Sequence, residues 1–439
     1  MHTKNNTIYI LYGSETGQSQ NYANELSYIL RYHHHQTIVS TLDDFNLRSI
    51  IDIKYLIVVC STASQGELPR NATQKFWKFM VKKKLPSILL NNLQFTTLGL
   101  GDSSYSQFNF AIRKIHARLL QLGGKELCGR AELDELFAGR GKESAFRIWC
   151  DEVVSSLDKH IGINEAPIDN EVLLEPEWIV QIDRNSDEVV TKEHELEVAV
   201  TRYTKTPNNS QKNQTVPTDQ KQNQTHHLLQ ITENQRLTSK EHFQDVRRLV
   251  LKNVSNSPLL PLQNYEPGDM LEIIPFNDPH DIEMLLKWQP EWYKVADLPL
   301  KIILNPKLNR KTVLDSTIQT PNSLISTPVE PLTLRSLLTH HIDLTHPPTR
   351  LFFNKLYHFS KDEREREKLK EFAGLSPHNY SINSKGFKER NYDADDELLF
   401  EYAIKPHRSV LEVLLEFDSI KIPVEFVLEL FVGLGLMLN

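Results

Sequence analysis

Residues 14–19 form a short polar segment that could bind a phosphate group. The segment contains Ser14, Glu15, Thr16, Gly17, Gln18 and Ser19. It follows an apolar run of strand length. The stretch after it has apolar residues at helical spacing and is long enough to form a helix, so the hydroxyls and N–H groups of the segment would lie at a helix N-terminus. A Walker loop would have, after its last glycine, Lys followed by Ser or Thr, and the lack of both here argues against a nucleoside triphosphate. A phosphate monoester fits, and a plain turn with a good N-cap explains the segment taken alone equally well.

Two further polar segments follow the next apolar runs, at residues 61–67 and 98–109. They contain Ser61, Thr62, Ala63, Ser64, Gln65, Gly66 and Glu67, and then Leu98, Gly99, Leu100, Gly101, Asp102, Ser103, Ser104, Tyr105, Ser106, Gln107, Phe108 and Asn109. Open α/β sheets bind ligands at the carboxyl edge of their strands, where all three segments should meet. The combination predicts flavin mononucleotide (FMN), with Tyr105 stacked on the flavin ring. Taken alone, Tyr105 and Phe108 are equally compatible with a place in the core.

The elements around these segments predict a parallel, doubly wound α/β sheet over residues 1–160. Strands are expected at residues 8–12, 55–60 and 94–100. Helices are expected up to residue 31, at 73–83, up to 122 and at 144–159. Such alternation of strands and helices is typical of doubly wound folds.

Residues 161–176 are polar with two prolines and are predicted to be a linker. A second domain is expected over residues 177–439. Alternating apolar stretches at residues 195–203, 227–232, 246–254 and 270–275 predict an antiparallel sheet or barrel. Residues 203–224 are almost devoid of apolar side chains, which predicts a disordered insertion. A largely helical region is expected over residues 279–417.

The composition restricts the class of protein. The chain has 439 residues and a net charge of −7, and the sequence gives +4 for residues 1–160 and −11 for the remainder. No basic stripe resembles a nucleic-acid footprint. The three cysteines, Cys60, Cys128 and Cys150, form no Cys-x-x-Cys pair, which favours a reducing compartment. With no signal peptide or membrane anchor evident, we expect a cytosolic protein, with mitochondria as an alternative location.

Several motifs resemble those of the diflavin reductases, the P450 reductase-like family. They are Ile-Leu-Tyr-Gly-Ser-Glu-Thr-Gly at 10–17, Leu-Gly-Asp-Ser-Ser-Tyr at 100–105, Leu-Leu-Gln-Leu-Gly-Gly at 119–124, Arg-Leu-Thr-Ser at 236–239, Phe-Gln-Asp-Val-Arg at 243–247, Tyr-Glu-Pro-Gly-Asp at 265–269 and Leu-Thr-His-His-Ile-Asp-Leu at 338–344. The resemblance covers about residues 7–431. It is greatest to the NADPH-dependent diflavin oxidoreductases of cytosolic iron–sulfur protein assembly. P450 reductases usually stack a tyrosine where this chain has Ala63, and the small residue fits the iron–sulfur assembly enzymes.

The resemblance implies a flavodoxin-like FMN domain followed by a ferredoxin-reductase-type FAD-binding β-barrel with a helical connecting insert. It implies that the FMN phosphate lies at residues 14–19 and the ring between residues 61–66 and 100–109, with Asp134 and Glu135 in a fourth flavin-side loop. The implied reaction passes electrons from NADPH through FAD and FMN to an iron–sulfur assembly acceptor such as anamorsin.

The family pattern stops near residue 431. In the family, an FAD-gripping Arg-x-Tyr/Phe-Ser motif, an FAD phosphate loop and an NADPH domain come next, whereas this chain continues for eight residues and lacks them. The expectation is therefore an incomplete barrel, an absent NADPH domain and an unstable or partly disordered second domain. FAD binding is also in question because His407 stands where the family has an arginine, with Arg408 beside it.

Other functions remain open on the sequence alone. A non-catalytic partner-binding module would keep the partner surface without NADPH turnover, and a P450 or sulfite reductase flavoprotein would use a different acceptor. Histidine groups at residues 33–35, 226–227 and 340–346 lack the companions of a structural zinc site. No Gly-x-Ser-x-Gly elbow indicates a hydrolase.

Overall fold

The computed structural model describes most of the chain. The described residues are 6–63, 65–137, 141–183, 198–204, 226–253, 270–308, 332–375, 380–382, 388–390 and 397–431. The first part, up to Ile161, is built around one parallel sheet, and the rest combines antiparallel sheets with helices. Most of the predicted insertion lies outside the described residues.

The first sheet has the strand order β2-β1-β3-β4-β5, with β6 also paired to β4. Its strands are β1 (Ile8–Gly13), β2 (Thr37–Thr41), β3 (Tyr55–Ser61), β4 (Gln94–Gly101), β5 (Lys125–Glu126) and β6 (Ala131–Asp134). All pairs are parallel, and β1 and β3 are buried along nearly their whole length. The predicted doubly wound α/β fold is confirmed, and this order is that of flavodoxins.

Helices cover both faces of this sheet. They are α1 (Gln18–Tyr32), the continuous stretch α2 (Arg70–Ala72, π-helical Thr73–Trp77 and Lys78–Met80), α3 (Phe110–Gln121) and α4 (Lys142–Ile161). Apolar residues of α2 and α3 form one core with the sheet, and those of α1 and α4 form another. Because each helix runs back against its strand, the loops that follow β1, β3 and β4 all lie at the carboxyl edge.

The second part contains a four-stranded antiparallel sheet, as predicted. Its strands are β8 (Val198–Thr204), β9 (His226–Arg236), β10 (Arg247–Asn253) and β11 (Met270–Ile274), in the order β10-β9-β8-β11. Residues 203 and 204 thus end β8 and do not belong to the predicted insertion, whose residues 205–224 lie outside the described part. A separate pair joins β7 (Trp178–Ile182) to β12 (Leu300–Leu304).

The region predicted as largely helical, residues 279–417, contains helices together with short strands. The elements of this region and the end of the described chain are α5 (Pro279–Trp288), α6 (Pro290–Tyr293), β12, α7 (Leu334–His340), α8 (Arg350–Leu356), α9 (Glu363–Phe372), the hairpin strands β13 (Tyr380–Ile382) and β14 (Lys388–Arg390), the π-turn Phe400–Ile404, α10 (Val410–Glu416) and α11 (Val427–Phe431). One apolar core, which includes the fully buried Trp292, unites α5 to α11 with β7 and β12. Whether this part is unstable, as the sequence suggested, stays a prediction.

The predicted linker, residues 161–176, makes specific contacts with both parts. On the first part, the Tyr32 hydroxyl donates to the Val172 carbonyl at 2.9 Å. On the second part, the Tyr357 hydroxyl donates to the Asn170 carbonyl. The segment therefore behaves as a packed connection. Within the described residues, no helix is both long and apolar enough to span a membrane.

Candidate functional site

The first loop is shaped by Gly17 and Ser14. Gly17 has a φ of 87°, in the left-handed region, and α1 begins immediately after it. The Gly17 N–H donates to Ser14 Oγ at 2.9 Å, and the Ser14 N–H donates to Asn71 Oδ1 at 2.9 Å. The loop is therefore held in place by a side chain from the start of α2.

Ser19 is the feature of this loop that points most directly to a ligand. Its side chain is fully buried in the first turn of α1, and its Oγ has no hydrogen-bond partner among the described residues. Buried hydroxyls are normally paired, so this oxygen has unused hydrogen-bonding capacity beside a helix N-terminus. Glu15, Thr16 and Gln18 are exposed. The residues present fit a phosphate group.

The second loop is a tight turn closed on itself. The backbone groups of Ala63 and Glu67 exchange two hydrogen bonds, at 2.9 and 3.0 Å. Gly66 lies in the turn with a φ of 77°, and a Cβ there would come within 1.9 Å of Gln107 Oε1. Lys114 Nζ donates to the Gly66 carbonyl at 2.9 Å. The positive φ favours glycine at residue 66, and the second loop packs against the third.

The strand ends bring the second and third loops side by side. Ser61 pairs with Leu100 in the sheet, and the Thr62 N–H donates to the Leu100 carbonyl at 2.8 Å. The Ser61 hydroxyl lies 3.4 Å from the Gly13 carbonyl, next to the first loop. These contacts place all three predicted segments at one edge. Ser64 lies outside the described residues.

The third loop presents an aromatic side chain to solvent. Asp102 Oδ1 accepts hydrogen bonds from the Ser104 N–H and hydroxyl, at 2.8 and 2.6 Å. This turn leaves Tyr105 67% exposed. Such exposure excludes the alternative in which Tyr105 belongs to the core and leaves its ring face available for stacking. Ser103, Ser106 and Gln107 are also exposed.

The third loop ends at Asn109, whose side chain anchors it to strand β6. Asn109 is fully buried with a φ of 52°, and its Nδ2 donates to the Leu133 carbonyl at 3.0 Å. Gly101 and Gly99 lie against it, because a Cβ on either would approach Asn109 atoms to 3 Å or less. Phe108 is half-buried beneath Arg113, whose Cζ lies 5.6 Å from the ring centre.

The two acidic residues of the fourth loop differ in their contacts. Asp134 Oδ1 accepts the Ser103 N–H at 2.9 Å and the Leu136 N–H at 3.1 Å. Burial raises the pKa of Asp134, but these hydrogen bonds outweigh it and lower the pKa overall. Glu135 instead pairs with the Lys142 ammonium group on α4. Asp134 therefore joins the third and fourth loops, whereas Glu135 contacts the helix that follows.

The sequence did not single out two residues that support the first loop, Asn71 and Asp43. The buried Asp43 carboxylate accepts the N–H groups of Gln74, Lys75 and Phe76 at 2.8 to 3.0 Å, which holds the π-helical turn of α2. The Asp43 N–H donates to the Asn71 carbonyl at 2.9 Å. Neither Asn71 nor Asp43 lies next to a glycine or after a strand-length apolar run, so no local sequence pattern marks these two residues.

Arg408, next to the candidate FAD contact at His407, already has partners within the second part of the chain. His407 has a φ of 54°, and the neighbouring Arg408 forms an ion pair with Glu416. Its guanidinium also lies 4.6 Å from the centre of the Tyr402 ring. In the described part of the chain, no cluster of three or more His, Cys, Asp or Glu side chains has a metal-binding arrangement.

Comparison with known proteins assigns both parts. Residues 10–149 match the flavodoxin family, and residues 217–434 match the FAD-binding domain family. A relative from Debaryomyces hansenii, named NADPH-dependent diflavin oxidoreductase 1, is 39% identical over 97% of this chain and 62% of its own length. The Candida albicans and Saccharomyces cerevisiae proteins of the same name are 38% and 34% identical, over 97% and 96% of this chain and 63% and 64% of their own lengths. Over nearly its whole length, the chain is similar to the NADPH-dependent diflavin oxidoreductases.

The family resemblance predicted from the motifs is thereby confirmed. The flavodoxin domain implies FMN, and the FAD-binding domain implies FAD. The chain spans a little under two thirds of the length of these relatives. A mutant flavodoxin from Pseudomonas aeruginosa of known structure is 25% identical, and the match covers 35% of this chain and 99% of that one with a TM-score of 0.30.

Proposed function

We propose that this chain binds FMN at the carboxyl edge of its first sheet and uses it to transfer electrons. The phosphate would lie at Ser14–Ser19 and the ring between residues 61–66 and 100–109. The observation that carries this proposal is the buried Ser19 hydroxyl, which has no hydrogen-bond partner in the described part of the chain and lies near the left-handed Gly17. Bound FMN would supply reversible redox chemistry.

The residues of this chain would bind and orient the cofactor. The Ser19 hydroxyl and the N–H groups at the start of α1 would hold the phosphate without a lysine. The exposed Tyr105 ring would cover one ring face. The Ser103–Asp134 and Lys114–Gly66 hydrogen bonds would keep the flavin loops in position.

By family, the complete reaction would pass electrons from NADPH through FAD and FMN to an acceptor. The relatives' shared name supports NADPH as the donor. We propose an anamorsin-like protein of cytosolic iron–sulfur assembly as the acceptor, and the cytosol as the location. The small residue Ala63, where P450 reductases usually have tyrosine, supports this branch of the family. The acidic residues of the flavin loops would attract basic groups of the acceptor.

The first experiment is to identify the flavin released from the purified chain. FMN at about one equivalent is expected from a single site. FMN together with FAD would show that the second part also binds its cofactor. A chain that binds no flavin, even after incubation with FMN, would overturn the proposal and favour a non-catalytic partner-binding module.

Two variants test whether the FMN phosphate lies at Ser19. Ser19→Ala removes one hydrogen bond to a charged group and should weaken FMN binding about tenfold, as measured by quenching of FMN fluorescence. Ser155→Ala is the matched control, because Ser155 is exposed on α4, away from the loops. Equal affinities in the two variants would contradict the placement of the phosphate.

A further inference from the structure

The face of the first sheet covered by α2 and α3 is rich in positive charge. Between Glu67 and Glu126 the sequence contains ten Lys or Arg residues and a single acid, Asp102. Asp102 belongs to the third flavin loop, so α2, α3 and the segment between α2 and β4 carry no acidic residue. The positive charge of residues 1–160 is thus concentrated on this face.

The ends of α2 and α3 form one continuous surface. On α3, Arg118 Nε donates to the Met80 carbonyl at 2.6 Å, and its guanidinium also donates to the Lys82 carbonyl at 3.2 Å. The Leu90 N–H donates to the Leu122 carbonyl at 2.8 Å. These bonds tie the segment after α2 to the end of α3.

We call this surface the basic corner. It comprises the exposed residues Lys78, Lys82, Lys83 and Lys84 together with the apolar Val81, Ile88 and Leu120. Val81, Ile88 and Leu120 are 48%, 70% and 44% exposed. In the described part of the chain the four lysines form no ion pair, and Lys82 lies over the Phe79 ring at 5.4 Å.

Helix stability explains only part of this arrangement. Lysines at the end of a helix interact favourably with its dipole, which accounts for one or two cations. Three consecutive lysines repel one another, and the dipole gives no reason for the exposed Ile88 and Val81 beside them. Exposed apolar side chains rimmed by charge are typical of interaction surfaces.

The basic corner lies away from the flavin loops and from the second part. Because α2 runs back against the strands, its end lies at the amino edge of the sheet, about 16 Å from the carboxyl edge by helix rise. In the described part of the chain, hydrogen bonds and an ion pair from Tyr28, Arg31, Tyr32 and His34 join the first sheet domain to residues beyond 165. These residues lie on or just after α1, on the other face, so an occupant of the basic corner would leave the flavin loops open.

We propose that the basic corner binds an acidic segment of a partner protein that also carries aliphatic side chains. Unpaired lysines complement carboxylates, and Ile88 and Val81 complement aliphatic groups. Duplex RNA would not use the aliphatic residues. An anionic membrane would require a wider apolar face with exposed aromatic groups, whereas Trp77 and Phe79 are half-buried. The inference stands independently of the function proposed above.

The test uses a fluorescein-labelled synthetic peptide of Asp, Glu and Leu, called the leucine peptide. A peptide of Asp, Glu and Ser with the same charge, called the serine peptide, is its control. Anisotropy titrations of the full chain should show tighter binding of the leucine peptide. The combined variant Lys82→Glu, Lys83→Glu and Lys84→Glu should weaken that binding at least about tenfold. The matched control is Lys159→Glu, Lys301→Glu and Lys361→Glu, which changes the charge equally at exposed residues elsewhere and should have little effect.

A second variant tests the apolar component. Ile88→Ser, at a highly exposed residue that should not affect folding, should weaken binding of the leucine peptide and leave the serine peptide unchanged. The leucine peptide is expected to bind equally well with and without FMN. Equal loss in both triple variants, or no difference between the two peptides, would overturn the proposal. So would binding of phosphatidylserine vesicles or duplex RNA without binding of the leucine peptide.

Discussion

Arg31 and Glu429 form an ion pair across the two parts of the chain. Arg31, in the last turn of α1, places a guanidinium nitrogen 3.6 Å from a carboxylate oxygen of Glu429 in α11. Lys355 Nζ lies 3.1 Å from the same carboxylate, and the Glu177 N–H donates to it at 3.0 Å. Lys355 and Glu429 are both buried, so removal of either leaves an uncompensated charge.

The first prediction concerns the stability supplied by this cluster. Glu429→Gln removes the negative charge while keeping the side-chain size, and should lower the free energy of unfolding by about 3 kcal/mol because Lys355 stays buried without its partner charge. Urea denaturation measures the change. Glu425→Gln, at an exposed residue of the preceding turn, is the control and should shift stability by less than about 0.5 kcal/mol.

The same cluster predicts a loss of stability in acid. Burial raises the pKa of Glu429, but the Lys355 and Arg31 cations outweigh burial and hold the pKa below its ordinary value. A carboxylate with a lowered pKa in the folded state stabilises the fold above its unfolded pKa and loses that contribution as the pH falls. The urea midpoint should therefore fall more steeply from about pH 5 to about pH 3 in the native chain than in Glu429→Gln. Parallel slopes would contradict the assignment.

Close packing at Gly99 provides a second prediction. A Cβ at residue 99 would lie 2.3 Å from Ile112 Cγ2 and 2.7 Å from Asn109 Oδ1, so Gly99→Ala should push α3 away from β4 and cost about 1 to 3 kcal/mol. Gly129→Ala is a matched control because a Cβ there meets no atom within 4 Å. Circular dichroism during urea unfolding compares the two variants. Equal stabilities would show that α3 adjusts without cost.

His358 provides a third prediction, at mildly acidic pH. Burial, followed by the nearby Arg366 cation, lowers the pKa of His358 to about 4, and its buried Nε2 has no hydrogen-bond partner in the part of the chain that the structure describes. The unfolded chain therefore takes up the proton first, so stability should decline as the pH falls from about 6.5 to about 4. His358→Gln should flatten this part of the profile, and His280→Gln, at an exposed residue, should leave it unchanged. Thermal unfolding across this pH range is the measurement.

The flavin loops were predictable from sequence because each follows a largely buried strand that contains a run of apolar residues. The edge strand Thr37–Thr41 was missed because four of its five residues are only half-buried, which leaves no apolar run. Trp178–Ile182 and Leu300–Leu304 were missed for a different reason. Each is short, and the partner that makes it a strand lies far away in the sequence. The supporting roles of Asn71 and Lys114 depend on similarly distant contacts.

The fourth prediction concerns the cooperativity of the second part. From the sequence, this part is expected to be unstable or partly disordered, and that expectation stays a prediction. Urea unfolding of the full chain, followed by Trp292 fluorescence in a variant that lacks the other tryptophans, should then show a broad transition at low urea. Trp292 is fully buried in the large core of this part and reports its integrity. A sharp transition at the urea concentration that unfolds the first part would contradict the expectation.

The last prediction tests how the flavin loops are held. Asp134 Oδ1 binds the Ser103 and Leu136 N–H groups, so Asp134→Ala releases the third loop and should weaken FMN binding about tenfold, since two hydrogen bonds to a carboxylate are lost. Asp134→Asn retains an acceptor oxygen and should restore most of the affinity. Glu135→Ala is the control, because Glu135 pairs with Lys142 on α4 and not with the third loop. If Glu135→Ala weakens FMN binding as much as Asp134→Ala, both acids contribute to the site, as the family resemblance implied.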